Sequence, residues 1–269
     1  MKKVVARRRF GQHFLTDPAI LDRIIRAFSP QRTDTVLEIG PGTGVLTEVL
    51  LQQLDHLTAV ELDRDLAAVL DKKYDSKRLT VIQKDILKFD LATLAAENSV
   101  VEPGAGTIRI VGNLPYNIST PLIFHLLDSM PLIADMVFMV QKEVALRLCA
   151  KAGDRNFGRL SVMSSLELDC EYLFDVPPDS FTPPPRVDSA VIRLLPVATR
   201  IKIEDPHRFE QIVKQAFSQR RKTLRNSLSR LVTAEQFVMA DIDPKLRAEK
   251  IDTAGFARLA NIPSGVVPV

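Results

Sequence analysis

The stretch Thr35-Val-Leu-Glu-Ile-Gly-Pro-Gly-Thr-Gly44 decides the fold class. Its first half is apolar and β-branched, as in a buried strand, and its second half places glycines where the chain must turn tightly. Apolar residues then recur at helical spacing: Val45, Leu46, Val49, Leu50 and Leu54. A strand, a glycine turn and an amphipathic helix in this order predict the first unit of an α/β fold.

The same alternation continues along the chain. Further strands are predicted at 56–61, 79–83, 107–111, 135–140 and 189–195, with helices at 63–73, 119–127 and 142–150. The segment 159–168 fits either a helix or a strand after a turn. This order predicts a mostly parallel, Rossmann-like sheet with helices on both faces. Beyond Pro196 only helical spacing remains, so we expect a catalytic domain at 1–196 and a small helical domain at 197–269.

Composition excludes several classes of protein. The chain has 269 residues, of which 46% are hydrophobic and 26% charged, a mix that excludes disordered chains, fibres and disulfide scaffolds. Cys149 and Cys170 form no CxxC pair, which favours ordinary buried thiols in a reducing cytoplasm. The four histidines show no ligand spacing, so no metal site is expected. The uncharged run 110–127 is too polar for a membrane span, and the basic start lacks the apolar core of a secretory signal.

Two acids follow the glycine loop in the order of the strands. The loop is GxGxG rather than the dinucleotide GxGxxG, and it lacks a P-loop lysine, which favours a nucleoside with an amino-acid tail. Glu61 ends the second strand, where a carboxylate can accept both ribose hydroxyls. Asp85 follows the third strand, where it can accept from an adenine amine. Either acid alone is more simply a solvated loop residue or a helix cap, but the ordered set favours a binding site.

Together these elements resemble class I S-adenosyl-L-methionine-dependent methyltransferases. The resemblance implies that the loop, with Gly40 and Gly42, lines the methionine end of the cofactor. It also implies that Glu61 holds the ribose, that Asp85 faces the adenine, and that Glu38 lies just under the loop.

Asn113-Leu114-Pro115-Tyr116 follows the fourth predicted strand and resembles the (N/D)-x-P-Y tetrad of methyltransferases that modify the exocyclic amines of bases. Such an amine is a poor nucleophile because its lone pair is conjugated with the ring. The Asn113 oxygen and a main-chain carbonyl, with Leu114 as the candidate, can accept its two hydrogens and favour a pyramidal nitrogen. Tyr116 offers a ring on which the base can stack. A proline turn with an asparagine cap is the simpler alternative for these four residues alone.

Two further segments narrow the family: Phe10-Gly-Gln-His-Phe-Leu15 and Phe181-Thr-Pro-Pro-Pro-Arg-Val-Asp-Ser189. With them the chain resembles the rRNA adenine dimethyltransferases, most closely the small-subunit (16S) type, from about Arg8 to the end. That resemblance implies two methyl groups on each of two adjacent adenines in the last stem-loop of 16S rRNA. It places His13, Leu15 and Asn113 beside the cofactor, and Phe181 opposite Tyr116 on the flipped base. The family usually has Asn where this chain has His13.

Charge distribution indicates where RNA binds. The net charge is only +3, but two segments without acids each hold five basic residues. They are Lys2, Lys3, Arg7, Arg8 and Arg9 in the N-terminal arm, and Arg220, Arg221, Lys222, Arg225 and Arg230 in the C-terminal part. Charge runs are usually solvated faces. Beside a base-modifying site, however, they favour phosphate contacts.

Three other functions remain open. A large-subunit (23S) adenine dimethylase of the resistance type shares the fold and the tetrad. A non-catalytic ribosome-assembly or RNA-binding factor is a different class, which the retained acids and tetrad argue against. A DNA amine methyltransferase is the weakest option. The expected partner is 16S rRNA in a 30S particle or its precursor, with no membrane, and nothing in the sequence requires more than a monomer.

Overall fold

A computed structural model describes residues 12–97 and 107–263. Within them a seven-stranded sheet and a two-stranded sheet form. The strands are β1 (Phe14–Leu15), β2 (Thr35–Ile39), β3 (Leu57–Glu61), β4 (Leu79–Gln83), β5 (Ile108–Asn113), β6 (Ile133–Gln141), β7 (Leu168–Val176), β8 (Phe181–Thr182) and β9 (Ser189–Pro196). The helices are α1 (Pro18–Phe28), α2 (Val45–Leu50), α3 (Arg64–Lys73), α4 (Leu91–Glu97), α5 (Ser119–Leu127), α6 (Lys142–Leu148), α7 (Arg159–Ser164), α8 (Pro206–Phe217), α9 (Leu224–Ser227), α10 (Ala234–Met239) and α11 (Thr253–Asn261).

The large sheet has the strand order β4-β3-β2-β5-β6-β9-β7. Strands β4, β3, β2, β5 and β6 are parallel to their neighbours, whereas β9 runs antiparallel to β6. The chain passes from β2 outward to β3 and β4, and then returns to the other side of β2 with β5. The carboxyl ends of β2 and β5 therefore form the point where the strand order reverses, which is where ligands bind in open α/β sheets. The predicted fold class is confirmed.

The contact between β2 and β5 is tight at this point. A Cβ atom on Gly112 would lie 2.5 Å from the main-chain oxygen of Ile39. Because that obstacle is backbone rather than a flexible side chain, the pairing requires a glycine on β5 just before Asn113. The strand ends that carry the glycine loop and the tetrad can therefore approach one another closely.

Helices α1 and α3 each begin with an aspartate whose side chain accepts from amides of the first turn. Asp63 caps α3 by accepting from the Asp65 amide, and Asp17 caps α1 by accepting from the amides of Ala19 and Ile20. In contrast, α2 starts at Gly44, which has a left-handed backbone with φ +81° and gives no side-chain cap. No side chain among the described residues accepts from the first amides of α2, so these amides can donate to the loop or to a ligand that the loop binds.

The small sheet joins two segments that are far apart in sequence. Strand β1 pairs antiparallel with β8, with Phe14 opposite Thr182 and Leu15 opposite Phe181. The main chain extends this contact, since the Thr16 amide donates to the Ser180 carbonyl at 2.8 Å. The proline-rich segment predicted to lie near the site is thereby tied to the segment around residue 13.

The chain divides into two compact units, Met1–Ala145 with Cys170–Pro196, and Leu146–Asp169 with Val197–Val269. The division at Pro196 is the predicted one, but residues 146–169 cluster with the C-terminal part rather than with the first domain. They do so because Phe157 and Val162 pack in the same apolar cluster as Phe209 and Phe256. In that second unit α8 buries Phe209, Ile212, Val213 and Ala216 on one face.

Two sequence interpretations are corrected by the structure. Residues 159–168 give a short helix, α7, and the strand β7 begins only at Leu168. Cys149 and Cys170 are both disulfide-bonded and half-buried, so the prediction of ordinary buried thiols is wrong. None of the helices in the described part of the chain is both long and apolar enough to cross a membrane.

Candidate active site

A large cleft opens at the carboxyl ends of β2, β3, β4 and β5 and encloses about 1360 Å³ of empty space, its open mouth included. The cleft brings together most of the residues that the sequence singled out: His13, Leu15, Glu38, Gly40, Gly42, Glu61, Asp85, Asn113, Leu114 and Tyr116.

The glycine loop lies directly against the N-terminal strand. Gly42 has a left-handed backbone with φ +59°, and a Cβ atom there would sit 3.1 Å from the ring of Phe14. A side chain at this position would therefore strain the backbone and press on β1 as well. Position 42 must therefore be glycine for the loop to keep this conformation against β1.

Glu61 ends β3 with its carboxylate turned toward the loop. One oxygen accepts from the Gly42 amide at 3.0 Å, and the other accepts from the Asp63 amide at 2.8 Å. Burial raises the pKa of the Glu61 carboxyl above its ordinary value, although these amides oppose the shift. Each carboxylate oxygen has a second lone pair, so Glu61 can still accept from ribose hydroxyls. The same residue thus fixes the loop and presents acceptors to the cleft.

Glu38 and Asp85 differ in their surroundings. Glu38 is buried beneath the loop, where it accepts from the Thr47 hydroxyl at 2.7 Å, and burial raises its pKa to about 8. Its carboxyl is therefore mostly neutral at pH 7. Asp85 is half-buried and uses one carboxylate oxygen to cap a short 3-10 turn by accepting from the Leu87 amide at 3.1 Å. Its other oxygen is available to an adenine amine.

The tetrad is oriented by main-chain contacts. The Asn113 side-chain nitrogen donates to the His13 carbonyl at 2.9 Å, which makes the amide oxygen the acceptor that the side chain presents. The Pro115 carbonyl is used within the turn, where it accepts from the Ile118 amide and the Ser119 hydroxyl, both at 3.1 Å. The Pro115 carbonyl is thus occupied, and the Leu114 carbonyl remains the predicted main-chain acceptor for an amine.

Tyr116 is fixed at its hydroxyl and covered on its ring. The hydroxyl pairs with the hydroxyl of Ser189 at 2.6 Å, and Ser189 itself is fully buried. The His13 imidazole stacks on the Tyr116 ring, with ring centroids 5.5 Å apart and the planes at 24°. Sequence reasoning missed Ser189 as a functional residue, although it closes the proline-rich segment that had been singled out.

Phe181 is not brought to the cleft. Its side chain is only 3% exposed and packs in the core cluster that contains Leu15 and Val176. β8 points this side chain inward opposite Leu15. The stacking of Phe181 on the base opposite Tyr116 stays a prediction.

The basic residues have different environments. Arg221, Lys222, Arg225 and Arg230 are exposed. Arg220 donates to the carbonyl of Arg155 at 2.6 Å and, more weakly, to that of Phe157 at 3.5 Å, which ties it to the loop before α7. Arg7, Arg8 and Arg9 lie outside the described residues. Among the residues that are described, no group of three side chains suited to hold a metal ion occurs.

Comparison with known proteins identifies the family. The model of the family described as "Ribosomal RNA adenine dimethylase" matches residues 4–264 of this chain. The chain belongs to this family. A protein named "Ribosomal RNA small subunit methyltransferase A" from Alcanivorax borkumensis is 50% identical over 97% of this chain and 91% of its own length. The protein of the same name from Coxiella burnetii is 47% identical over 97% and 99%.

Solved structures of rRNA adenine dimethylases and their relatives agree with this result. A dimethyladenosine transferase from Plasmodium falciparum has a TM-score of 0.74 at 29% identity and covers 92% of this chain and 96% of its own. The 23S rRNA methyltransferase ErmE has a TM-score of 0.68 at 26% identity and covers 92% and 98%. The predicted family, the methyltransferase activity and the dependence on S-adenosylmethionine are confirmed.

The cleft fits the cofactor that an rRNA adenine dimethylase uses. The glycine loop can approach a ligand closely, the Glu61 carboxylate could accept from ribose hydroxyls, and Asp85 has a carboxylate oxygen that could accept from an adenine amine. Leu62, Ile86 and Leu87 line the same part of the cleft and supply apolar surface for a base. The sequence did not single out these three residues, because apolar residues beside strand ends are common.

Replacing Ser189 by alanine removes the partner of the Tyr116 hydroxyl. We expect methyl transfer to slow by roughly two- to tenfold, the rate equivalent of a hydrogen bond worth about 0.5–1.5 kcal/mol. Tyr116→Phe removes the other half of the same pair. The kcat values of the two single variants and the double variant form a double-mutant cycle. We expect the double variant to be no slower than the slower of the two single variants. Fully additive losses would show that the hydroxyl pair does not act as a unit.

Glu38→Gln changes how stability depends on pH. Between its ordinary pKa of 4.5 and its folded value of about 8, Glu38 holds a proton in the folded chain that the unfolded chain has released. Rising pH therefore destabilises the wild type across this window, on the order of a few kcal/mol in total, and the neutral amide of the Glu38→Gln variant removes the effect. Thermal unfolding between pH 5 and 8 should show the wild type losing stability relative to the variant.

Glu48→Gln is the matched control. Glu48 is exposed, and its bond with Lys73 lowers its pKa, so its ionisation stabilises the fold throughout pH 5–8 and is lost only in stronger acid. The difference in thermal stability between Glu48→Gln and the wild type should therefore stay constant from pH 5 to 8. If the stability difference between Glu38→Gln and the wild type were also constant from pH 5 to 8, Glu38 would not be held neutral in the folded chain.

Proposed function

We propose that this rRNA adenine dimethylase acts on two adjacent adenines in the 3′-terminal stem-loop of 16S rRNA, within a small-subunit particle or its precursor. It works as a monomer in the cytoplasm. The observation that carries the proposal is the orientation of Asn113, whose amide oxygen is turned to the cleft by the bond from its nitrogen to the His13 carbonyl. The relatives named as small-subunit rRNA methyltransferases support the choice of substrate.

The residues of the tetrad act on the amine of the target base. The Asn113 oxygen and the Leu114 carbonyl accept its two hydrogens, which favours a pyramidal nitrogen whose lone pair is available. Because these acceptors are already positioned in the folded chain, they need no reorganisation during the reaction. Tyr116 holds the plane of the base, and its bond with Ser189 fixes the ring.

The reaction also needs a bound methyl donor and a step in which the amine loses a proton. S-adenosylmethionine, when bound, supplies an electrophilic methyl group on sulfur. Gly40, Gly42, Glu61 and Asp85 would hold the cofactor, and alignment of the methyl donor with the amine would dominate the rate. Asn113 is not a strong base, so the amine loses its proton during or after methyl transfer rather than before it. The amine can then be aligned again for a second methyl.

RNA binding is assigned to exposed cations of the second unit and to the N-terminal arm. Arg221, Lys222 and Arg225 are exposed and lie in a segment without acids, as expected for phosphate contacts. Arg7, Arg8 and Arg9 are proposed from the sequence alone. Arg220 has a second role, since its bonds to two carbonyls hold the loop at 155–157.

Asn113→Ala should lower methyl transfer by about a hundredfold or more, the typical effect of deleting a transition-state hydrogen-bonding group. RNA affinity should stay near the wild-type value, because the only group of the RNA that Asn113 is proposed to contact is one amine. Asn113→Asp keeps an acceptor oxygen and should retain more activity than alanine. The assay follows labelled methyl groups from S-adenosylmethionine into purified 30S and 50S subunits. Label only in 23S rRNA would support the large-subunit alternative, and full activity in the alanine variant would exclude the proposed role of Asn113.

Arg221→Ala and Lys222→Ala should each weaken binding to 30S particles and reduce the slope of log affinity against log salt by about 1. Arg220→Ala should also lower the midpoint of thermal unfolding, because it removes bonds to the main chain. Affinity measured across a series of KCl concentrations tests both expectations. Lys77→Ala, an exposed cation before the amino end of β4, is the control and should leave the slope unchanged. Equal slopes for all four variants would place the RNA elsewhere.

A further inference from the structure

We propose that Gln141 contacts the target adenine, with its side-chain amide donating from Nε2 to a ring nitrogen next to the reacting amine. The inference rests on the proposed function and adds a residue to the same site. Gln141 ends β6 and is half-buried. It belongs neither to the tetrad nor to the residues that would hold the cofactor.

The alternation of side chains along β6 places Gln141 on the face that forms the cleft. Successive side chains of a strand point to opposite faces, so Val137, Met139 and Gln141 share one face. Val137 and Met139 both line the cleft. Asn113 is in register with Met139 across the contact between β5 and β6, and it also lines the cleft. Gln141 is therefore the next residue of this row, one step closer to the carboxyl edge of the sheet.

The pairing of β6 with β9 places Gln141 beside the ring of the tetrad. Gln141 lies directly opposite Ser189 in this antiparallel pair. Residues opposite each other in such a pair share a face, with Cβ atoms about 4.5–5.5 Å apart. The Ser189 hydroxyl is 2.6 Å from the hydroxyl of Tyr116. Because a glutamine side chain is longer than that of serine, the Gln141 amide can extend beyond this hydroxyl pair toward a base on the Tyr116 ring.

The strand order separates Gln141 from the residues proposed to hold the cofactor. Strand β5 lies between β6 and β2, which carries the glycine loop. Neighbouring strands are about 4.8 Å apart, so β6 lies roughly 10 Å from β2. Glu61 and Asp85 follow β3 and β4, which lie further away still. A side chain at the end of β6 is thus next to the tetrad and remote from the acids that would bind the cofactor.

The chemistry of the base calls for a donor at this place. In the proposed mechanism the amine gives its two hydrogens to the Asn113 oxygen and the Leu114 carbonyl. The ring nitrogens beside the amine carry no hydrogen and only accept. The tetrad meets the amine with acceptors alone, whereas the primary amide of Gln141 supplies donor hydrogens without adding charge. Among residues 12–97 and 107–263 this amide has no hydrogen-bond partner.

The contact carries more weight in the second methyl transfer than in the first. In each transfer the amine nitrogen forms a bond to the methyl carbon while the carbon–sulfur bond breaks, and the nitrogen then loses a proton to water. After the first transfer the nitrogen keeps one hydrogen, so one of its two bonds to the tetrad is lost. A bond to a ring nitrogen is unaffected and becomes a larger share of what holds the base. Gln141 therefore holds the monomethylated base for its second methyl.

Two variants test the contact with labelled S-adenosylmethionine and 30S particles, with monomethyl- and dimethyladenosine separated after digestion of the rRNA. Gln141→Leu keeps the size of the side chain without a hydrogen bond and should lower kcat/KM for 30S particles roughly two- to tenfold. At equal total methyl incorporation it should also raise the ratio of monomethyl- to dimethyladenosine. Gln141→Glu keeps acceptor oxygens but loses the donor, so at pH 8 it should be at least as defective.

Gln53→Ala is the control. Gln53 is an exposed glutamine between α2 and the amino end of β3, at the opposite edge of the sheet. Its rate and product ratio should equal those of the wild type. KM for S-adenosylmethionine should be unchanged in all three variants.

Several results would overturn the inference. A wild-type product ratio in Gln141→Leu would do so even if its rate fell, because a misfolded fraction lowers the rate without changing the ratio. Wild-type activity in Gln141→Glu would show that the side chain does not donate to the base. A raised KM for S-adenosylmethionine alone would place Gln141 against the cofactor. If the wild type labels only 50S subunits, the proposed substrate is wrong, and the same product ratio in 23S rRNA then tests Gln141.

Discussion

The close pairing of β2 with β5 is the constraint on which the site depends. It requires glycine at position 112, because any Cβ atom there would meet the Ile39 carbonyl at 2.5 Å. With that contact in place, the loop after β2 and the tetrad after β5 leave the sheet side by side. A Cβ atom built on Gly40 would lie 3.9 Å from the Asn113 carbonyl. These adjacent strand ends would bring the methyl donor and the amine together, and alignment is most of what this reaction needs.

Buried acids keep the loop in its shape without needing cations. Glu61 accepts from two backbone amides, which hold it between the loop and the start of α3. Glu38 lies below and bonds Thr47 in α2, and burial raises its pKa far enough to keep it largely neutral at pH 7. A second buried charge so near Glu61 would be costly, and neutralising Glu38 avoids that cost. The two acids thus share a low-dielectric region without both having to be ionised.

The sequence predicted the elements whose signals are local. Helix α5 and strand β4 have the predicted bounds, and the ordered set of loop, Glu61, Asp85 and tetrad meets in one cleft. Contacts between distant segments could not be predicted from local signals. Phe181 was predicted to stack on the base, and in the structure its strand pairs it with Leu15 and its side chain lies in the core. Arg220 was predicted to contact RNA, and in the structure it also donates to the main-chain carbonyl of Arg155. Strand β7 was not predicted, because its acids are exposed and its apolar residues are only half-buried, so the sequence lacks the clear apolar–polar alternation of a strand.

The pairing of β1 with β8 makes the geometry of the tetrad independent of the side chain at position 13. Asn113 is held by the main-chain carbonyl at position 13, and this carbonyl is present whatever the side chain is. The position of that carbonyl depends on Phe14 and Leu15, which β8 fixes by backbone pairing. The side chain at 13 is thereby released from orienting the tetrad. In this chain the His13 side chain lies on the Tyr116 ring.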